Sequence, residues 1–119
     1  MIEGGPEIKK EIQIKENKVN YYKFEVVIGE KVVGRAFLYL IYNDLHPQPY
    51  GLLEDVFVEE AYRGKGIGKE LVQQVIEKAK ELGCYKLIAT SRFGRENVHQ
   101  LYESLGFEKW GYEFRMDFE

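Results

Sequence analysis

Residues 63–69 read Arg-Gly-Lys-Gly-Ile-Gly-Lys, so three glycines and three cationic side chains stand in seven consecutive positions. They follow a run of residues typical of a β-strand and lead into a run typical of a helix. A helix N-terminus leaves backbone N–H groups without partners and carries about half a positive charge. Glycines let a phosphate approach these N–H groups closely, and Arg63, Lys65 and Lys69 add positive charge. The stretch therefore predicts a site for a phosphate or pyrophosphate.

Two common phosphate-binding loops do not fit this stretch. The P-loop pattern G-x-x-x-x-G-K-S/T requires glycine where Arg63 stands and a hydroxyl residue where Glu70 stands. The dinucleotide pattern G-x-G-x-x-G requires glycine where Lys69 stands. A turn that needs glycine only for its shape, with its lysines in water, is the simplest alternative to an anion site.

The apolar pattern predicts the strands around this loop. Three isoleucines within residues 8–14 indicate a first strand. Residues 21–42 are rich in aromatic and β-branched residues and predict two long strands joined by a tight turn at Gly29. Two prolines and a glycine make residues 43–51 a loop, and residues 52–60 predict a fourth strand.

Two helices are predicted from apolar residues spaced three and four apart. The first runs from Gly68 to Leu82 and is ended by Gly83, and a fifth strand follows at residues 85–91. The second helix is shorter and is ended by Gly106.

The last residues, 107–118, predict a strand, with a break into a short hairpin at Trp110. Three strands are thus followed by the order strand, helix, strand, helix, strand. This order indicates one α/β domain over residues 1–119, with a parallel, right-handed strand–helix–strand unit at residues 52–91.

Two motifs resemble the GNAT family of N-acetyltransferases. Residues 63–68 fit its cofactor signature, Arg/Gln-x-x-Gly-x-Gly/Ala, within the longer run EDVFVEEAYRGKGIGKEL. Residues 101–107, LYESLGF, fit a second family motif. The resemblance covers residues 52–107 well. It implies the GNAT fold: a mixed, mostly antiparallel sheet, splayed between the fourth and fifth strands, with two flanking helices and without the N-terminal helix pair of longer relatives.

The resemblance implies acetyl-CoA as the cofactor, held largely by main-chain groups. The glycine loop would bind its pyrophosphate, and the fourth strand would offer backbone groups to its pantetheine arm. No metal is implied. The implied cofactor-binding residues are Val56, Phe57, Val58, Arg63, Gly64, Lys65, Gly66, Ile67, Gly68 and Lys69.

Glu54 and Tyr102 are the catalytic residues that the resemblance implies. Glu54 is the candidate general base, and a solvated glutamate at a strand end is the alternative. Strand alternation would place Glu54 and Asp55 on opposite faces, so that only one faces the cleft. Tyr102 matches the tyrosine that protonates the leaving thiolate in the family. A phenol is a weaker acid than a thiol, so its role can be mainly a hydrogen bond to developing negative charge, and a tyrosine that only packs the helix is the alternative.

Four further residues have simpler interpretations. Arg95 stands where many relatives have asparagine, and it either reaches the cofactor phosphates or starts the second helix. His99 is interpreted as an ordinary helix position and Cys84 as a packing residue. Trp110 is predicted to lie in the core or a wall of the site.

Net charge, cysteine content and the N-terminal residues indicate which binding partners and which cell compartment fit the chain. The net charge of −3 argues against general binding to nucleic acids or membrane surfaces and mildly favours cationic acceptors. A single cysteine fits a reducing compartment, and the N-terminus lacks the apolar stretch of a secretory signal. These features predict a cytoplasmic protein.

The predicted function is transfer of an acetyl group from acetyl-CoA to a primary amine in a ternary complex. The acceptor would be a small cationic amine, or a lysine or N-terminal amine of a peptide. One alternative is a CoA-binding sensor or interaction module of the same fold, and another is an unrelated phosphate or nucleic-acid binder. Without the helix pair, the acceptor side should be open or completed by a second subunit of a homodimer, and the loop 43–51 is a candidate wall.

Overall fold

The computed structural model describes residues 9–16 and 18–119, which form a sheet and two helices. The sheet follows chain order, with β1–β2 and β2–β3 antiparallel and β3–β4 parallel. The elements are β1 (Asn20–Ile28), β2 (Lys31–Ile41), β3 (Tyr50–Val58), α1 (Ile67–Glu81), β4 (Leu87–Ala89) and α2 (Glu96–Ser104). The predicted mixed, mostly antiparallel fold is confirmed, and β3 and β4 are the fourth and fifth predicted strands.

The turn between β1 and β2 has the tight geometry that the sequence predicts. Gly29 and Glu30 have φ values of +56° and +69°. Positive φ at both central residues of a two-residue loop matches the right-handed twist of the flanking strands. The hairpin therefore brings two long strands into register.

The core lies between α1 and one face of β2 and β3. Apart from Pro49 in the loop before β3, every buried apolar side chain of the described residues belongs to these three elements. They are Val33, Ala36, Leu38, Leu40, Leu53, Ile67, Leu71, Val72, Val75 and Ala79. α1 ends where predicted, at Gly83, whose φ is +78°.

Two predicted strands are wrong in the described residues. Ile8 lies outside them, while Ile12 and Ile14 are 88% and 91% exposed in a segment without strand structure. Residues 107–119 also form no strand, and Trp110 is 91% exposed rather than buried. An alternating pattern shows which face a strand would bury, but a strand also needs a neighbour to pair with.

No helix within residues 9–16 and 18–119 is long and apolar enough to cross a membrane.

Candidate active site

The cleft begins at a β-bulge in β3. In the β2–β3 ladder, Ala36 faces two residues, Asp55 and Val56, and Asp55 has a φ of +53°. The parallel ladder between β3 and β4 ends at Leu53 and Ala89, immediately before the bulge. Bulges bend the strand that carries them. Beyond this point the two strands part around a cleft of about 720 Å³.

The glycine loop, residues 63–69, forms one wall of this cleft. Gly64 and Gly66 have φ values of +78° and +83°, a conformation that strains residues with a Cβ. Within the described residues, none of the N–H groups from Gly64 to Lys69 donates to a backbone carbonyl. The first helical bond runs from the Glu70 N–H to the Gly66 carbonyl, at 3.0 Å. The loop and the first turn of α1 therefore present six N–H groups without backbone acceptors.

Nine of the ten residues predicted to bind the cofactor line the cleft, and Lys65 is the exception. The opposite wall comes from residues 90–92, which directly follow β4, and from Arg95 and the start of α2. Sequence reasoning missed residues 90–92 and left Arg95 undecided. Their position after the carboxyl end of a parallel strand was the available signal, since ligands bind there in open sheets.

Positive charge dominates the cleft. Arg63 and Lys69 lie on the glycine-loop side, and Arg92 and Arg95 lie on the other. The carboxylate that also lines the cleft, that of Asp55, is paired with an arginine. Two walls of like charge suit a ligand with several negative groups between them.

The bulge is held by an arginine on the neighbouring strand. The Arg35 guanidinium donates hydrogen bonds to both carboxylate oxygens of Asp55, at 2.8 and 3.3 Å. These bonds hold the pKa of Asp55 below its ordinary value. The same guanidinium lies 4.7 Å from the centre of the Phe57 ring. Arg35 therefore contacts both the extra residue and Phe57, two positions after it.

Arg63 ties the glycine loop to β3. Its Nε donates to the Val58 carbonyl at 2.8 Å, and its guanidinium lies 5.5 Å from the centre of the Phe57 ring. Part of its hydrogen-bonding capacity is thus used inside the protein. Arg63 therefore stabilises the glycine loop and also adds positive charge to the cleft.

The expectation that alternation separates Glu54 from Asp55 is wrong. Leu53 faces the core before the bulge, and Val56 and Val58 pack against the core after it. The extra residue therefore leaves Glu54 and Asp55 on the same side. Both line a shallow groove of about 540 Å³ on the face of the sheet opposite α1.

The groove around Glu54 has an aromatic side. Tyr39 lines it, and the Phe37 ring stacks on Tyr39 with centres 6.0 Å apart. The Tyr21 ring lies 5.5 Å from that of Tyr39. A carboxylate beside aromatic faces is an environment that attracts cations.

Tyr102 lies half-buried on α2, with its ring centre 5.3 Å from that of Phe107. Burial raises the pKa of its hydroxyl above the ordinary value, the positive charge of Arg95 opposes this shift, and the negative charge of Glu54 adds to it. The two predicted catalytic residues are thus close enough to interact electrostatically. The cleft lining includes Val98 and Leu101 of α2 but neither Tyr102 nor Glu54.

His99 and Cys84 have structural contacts. A ring nitrogen of His99, Nε2, lies 2.9 Å from the Arg92 carbonyl, and Nδ1 lies 3.9 Å from the Glu96 carboxylate. His99 therefore holds the segment that carries Arg92 against α2. Cys84 packs against the core, and burial raises the pKa of its thiol.

The loop 43–51 is fixed at the other end of β3 from the glycine loop. The Tyr85 N–H donates to the Pro49 carbonyl, and the Asn43 amide donates to the Tyr85 hydroxyl, both at 3.1 Å. The His46 ring stacks on Tyr85 with centres 3.9 Å apart. The loop thus packs against the residues that lead into β4, and its role as an acceptor wall stays a prediction.

The family is identified by comparison with known proteins. The model of the Acetyltransferase (GNAT) family matches residues 3–107. The chain belongs to the GNAT family. Glucosamine 6-phosphate N-acetyltransferase of Trypanosoma brucei brucei is 40% identical to this GNAT chain over 67 residues, which are 56% of this chain and 44% of that protein. Thialysine N-epsilon-acetyltransferase of Bos taurus is 33% identical over 78 residues, 66% of this chain and 45% of that protein.

A solved structure shows the same fold. The transcriptional regulator from Bacillus halodurans C-125 superposes with a TM-score of 0.78 at 31% identity, covering 83% of this GNAT chain and 67% of that chain. The chain spans less than half the length of the two enzymes above. Family and fold are therefore established over the sheet and the helices.

Proposed function

We propose that this GNAT protein is an acetyl-CoA-dependent N-acetyltransferase that acts on a primary amine by direct attack in a ternary complex. The observation that carries the proposal is the run of six N–H groups without backbone acceptors at the start of α1, in a loop of which five of the six residues line a positively charged cleft. Pyrophosphate oxygens are the acceptors that such a helix start favours. The relatives named as N-acetyltransferases support the same reaction class.

The residues present fit acetyl-CoA, which supplies an activated acetyl thioester when bound. Gly64 to Lys69 would hold the pyrophosphate through backbone N–H groups, and Arg92 and Arg95 would add positive charge from the opposite wall. Residues 56–58 lie on β3 beyond the end of its ladder with β4, so the backbone edge on that side can pair with the pantetheine arm. All of these residues except Lys65 line the cleft.

Glu54 and Tyr102 would handle the protons. Glu54 takes a proton from the ammonium form of the acceptor, directly or through a water molecule. Tyr102 would act as a hydrogen-bond donor to the leaving thiolate of a bound acetyl-CoA. Its raised pKa keeps the hydroxyl protonated at neutral pH. Their electrostatic interaction supports a site between β3 and α2.

The acceptor is proposed to be a cationic amine that enters by the groove around Glu54. The groove combines the Glu54 carboxylate with the ring of Tyr39, and the Asp55 carboxylate that also lines it is paired with Arg35. The net charge of −3 also favours the approach of cationic amines. We expect amines with an additional positive charge to turn over faster than those without one, and added salt to reduce the difference. Equal turnover of both groups, with no dependence on salt, would contradict this acceptor class.

Calorimetric titration with acetyl-CoA tests the cofactor site, once mass spectrometry shows that the sample contains no bound CoA. We expect one molecule to bind per chain. Gly66→Glu should lower the affinity about 100-fold or more, because it strains the loop and places a carboxylate beside the phosphates.

Gly83→Glu is the matched control. Gly83 ends the same helix with a φ of +78°, and a Cβ there would meet no atom within 4 Å. The substitution adds the same charge and comparable strain away from the cleft, so binding should be unchanged. A folded wild-type chain that does not bind, or equal losses in both variants, would overturn the proposed site.

A CoA-binding sensor is the second candidate, since a transcriptional regulator shares the fold. Tight acetyl-CoA binding with no turnover of any amine in the panel would favour it over the enzyme.

A further inference from the structure

Arg35 connects the bulge to the glycine loop, although it is not among the residues that line the cleft. It lies directly opposite Phe57 in the β2–β3 ladder, next to the bulge. Its guanidinium donates to both carboxylate oxygens of Asp55 and lies 4.7 Å from the centre of the Phe57 ring. The Arg63 guanidinium lies 5.5 Å from the centre of the same ring. Two arginines, one from β2 and one from the glycine loop, therefore meet at one side chain of β3.

The packing of the core requires an extra residue in β3 but does not determine its conformation. Leu53 lies in the core before the bulge, and Val56 packs against the core after it, so two residues must fit between them. The backbone conformation of these two residues decides where the N–H and carbonyl groups of residues 56–58 point. Residues 56–58 line the cleft. The shape of the bulge therefore sets the β3 edge of the cleft.

Asp55 has a backbone conformation that needs a partner to hold it. Its φ of +53° lies in the left-handed region, which is unfavourable for a residue with a Cβ. Both hydrogen bonds that its carboxylate accepts within the described residues come from Arg35. A bidentate pair fixes the orientation of the carboxylate as well as its position. Arg35 thus selects one shape of the bulge, even though an exposed ion pair contributes little to overall stability.

The neighbouring carboxylate on β1 does not compete for this arginine. Glu25 lies opposite Arg35 in the β1–β2 ladder. Its carboxylate is paired with Lys23 instead, at 3.1 Å. The Arg35 guanidinium is therefore directed toward β3.

We propose that Arg35 is a positioning residue for the cofactor. It holds Asp55 and the Phe57 ring, and through them it sets the β3 edge and the place of Arg63 in the cleft. Arg63 is fixed jointly by this ring and by the Val58 carbonyl, to which its Nε donates at 2.8 Å. Arg35 acts through these residues and does not itself contact the cofactor. This role rests on the proposed acetyl-CoA site.

Calorimetric titration of the full chain with acetyl-CoA measures this role. Arg35→Gln removes the charge and the paired N–H groups. The affinity should fall about three- to tenfold, because Asp55 then leaves its strained conformation and the β3 edge changes shape. The Arg35 side chain is 39% exposed, so the fold should persist.

Asp55→Gly separates a positioning role from a general effect of charge. Glycine adopts a positive φ without strain, and it offers no carboxylate for Arg35 to hold. Arg35→Gln should therefore change the affinity by less than about twofold when it is made in the Asp55→Gly background. If the arginine acted only through its positive charge or through overall stability, the loss would be the same in both backgrounds.

Arg115→Gln is the matched control. Arg115 forms an ion pair of the same length with Asp117, 2.8 Å, and its side chain is 65% exposed. It is not among the residues that line the cleft. The substitution makes the same change in net charge, so the acetyl-CoA affinity should be unchanged.

Hydrogen exchange of the chain without ligand gives a readout that does not depend on the cofactor. In Arg35→Gln, the amides of residues 55–58 should exchange several-fold faster than in wild type. The amides of α1 should keep their wild-type rates, because the change is confined to the bulge.

Three results would overturn the positioning role alone. They are equal affinity of wild type and Arg35→Gln, equal losses in the two backgrounds, and unchanged exchange of residues 55–58. A wild type that binds no acetyl-CoA would overturn the proposed function and this role together. Because wild-type binding is measured first, the two failures are distinguished.

Discussion

The two helices that flank the cleft are supported very differently. α1 buries Ile67, Leu71, Val72, Val75 and Ala79, whereas α2 has no fully buried residue. The groups that the two helices contribute to the candidate site differ in the same way. The α1 side offers main-chain N–H groups on a firmly packed helix, and the α2 side offers the side chains of Arg95 and Tyr102 on a lightly packed one. A backbone site requires rigid support, while side chains on a loosely held helix can adjust to a ligand.

Truncating one leucine in each helix gives the largest expected effect. Leu71→Ala should lower the free energy of unfolding by about 2–5 kcal/mol, because it leaves a cavity in the core. Leu101→Ala removes the same atoms from a half-buried position and should cost only about 1 kcal/mol. Urea denaturation measures both. Equal losses would show that α2 is packed as firmly as α1 in solution.

Tyr102→Phe sharpens the functional side of the comparison. We expect kcat to fall about 10- to 100-fold while the acetyl-CoA affinity stays within about twofold, because the variant removes only the hydroxyl that we propose to stabilise developing charge. Steady-state rates and calorimetry separate these quantities. Tyr42→Phe, at a residue that is 65% exposed on a loop, is the control and should change neither. An unchanged kcat in the Tyr102 variant would leave this tyrosine only a packing role.

Asp55→Asn should have the smallest effect, and the size of that effect depends on pH. The ion pair with Arg35 is exposed, so its loss should lower stability only slightly at pH 7. Because the pKa of Asp55 is depressed in the folded state, its stabilisation is present above the ordinary aspartate pKa and is lost as the pH falls through the lower, folded-state value. The unfolding free energies of wild type and variant should therefore converge in acid. A difference that grows in acid would contradict the role of this pair.

The sequence predicted the four strands of the sheet, both helices and most of the glycine-loop side of the cleft, since periodicity and glycine positions are local properties. It placed α1 within one residue at each end and assigned nine of the ten predicted cofactor-binding residues to the cleft lining. It placed Glu54 and Asp55 on opposite faces of β3, whereas both lie on the same face. The signal was present, because Leu53 and Val56 are three apart instead of two, with Glu54 and Asp55 together between them. The prediction assumed that side chains alternate regularly from Leu53 to Val56, whereas the extra residue interrupts the alternation there.

The strand predicted at residues 107–118 is wrong for a different reason. Its alternating residues describe the face of a strand correctly, but pairing depends on a neighbour, which pattern alone does not provide. Arg92 is a different case, because its place after the carboxyl end of a parallel strand was a signal that the prediction did not use. Distant contacts of this kind follow from topology.

The bulge at Asp55 separates the opening of the cleft from the packing of the core. Without that one residue, Leu53, Glu54, Val56, Phe57 and Val58 alternate regularly, and every core-facing side chain keeps its side. A chain shortened there would retain its packing and its helix α1, and β3 could continue beside β4 as an ordinary strand. The opening between β3 and β4 therefore depends on a single extra residue, while the side chains of β3 that pack against the core keep a regular alternation on either side of it.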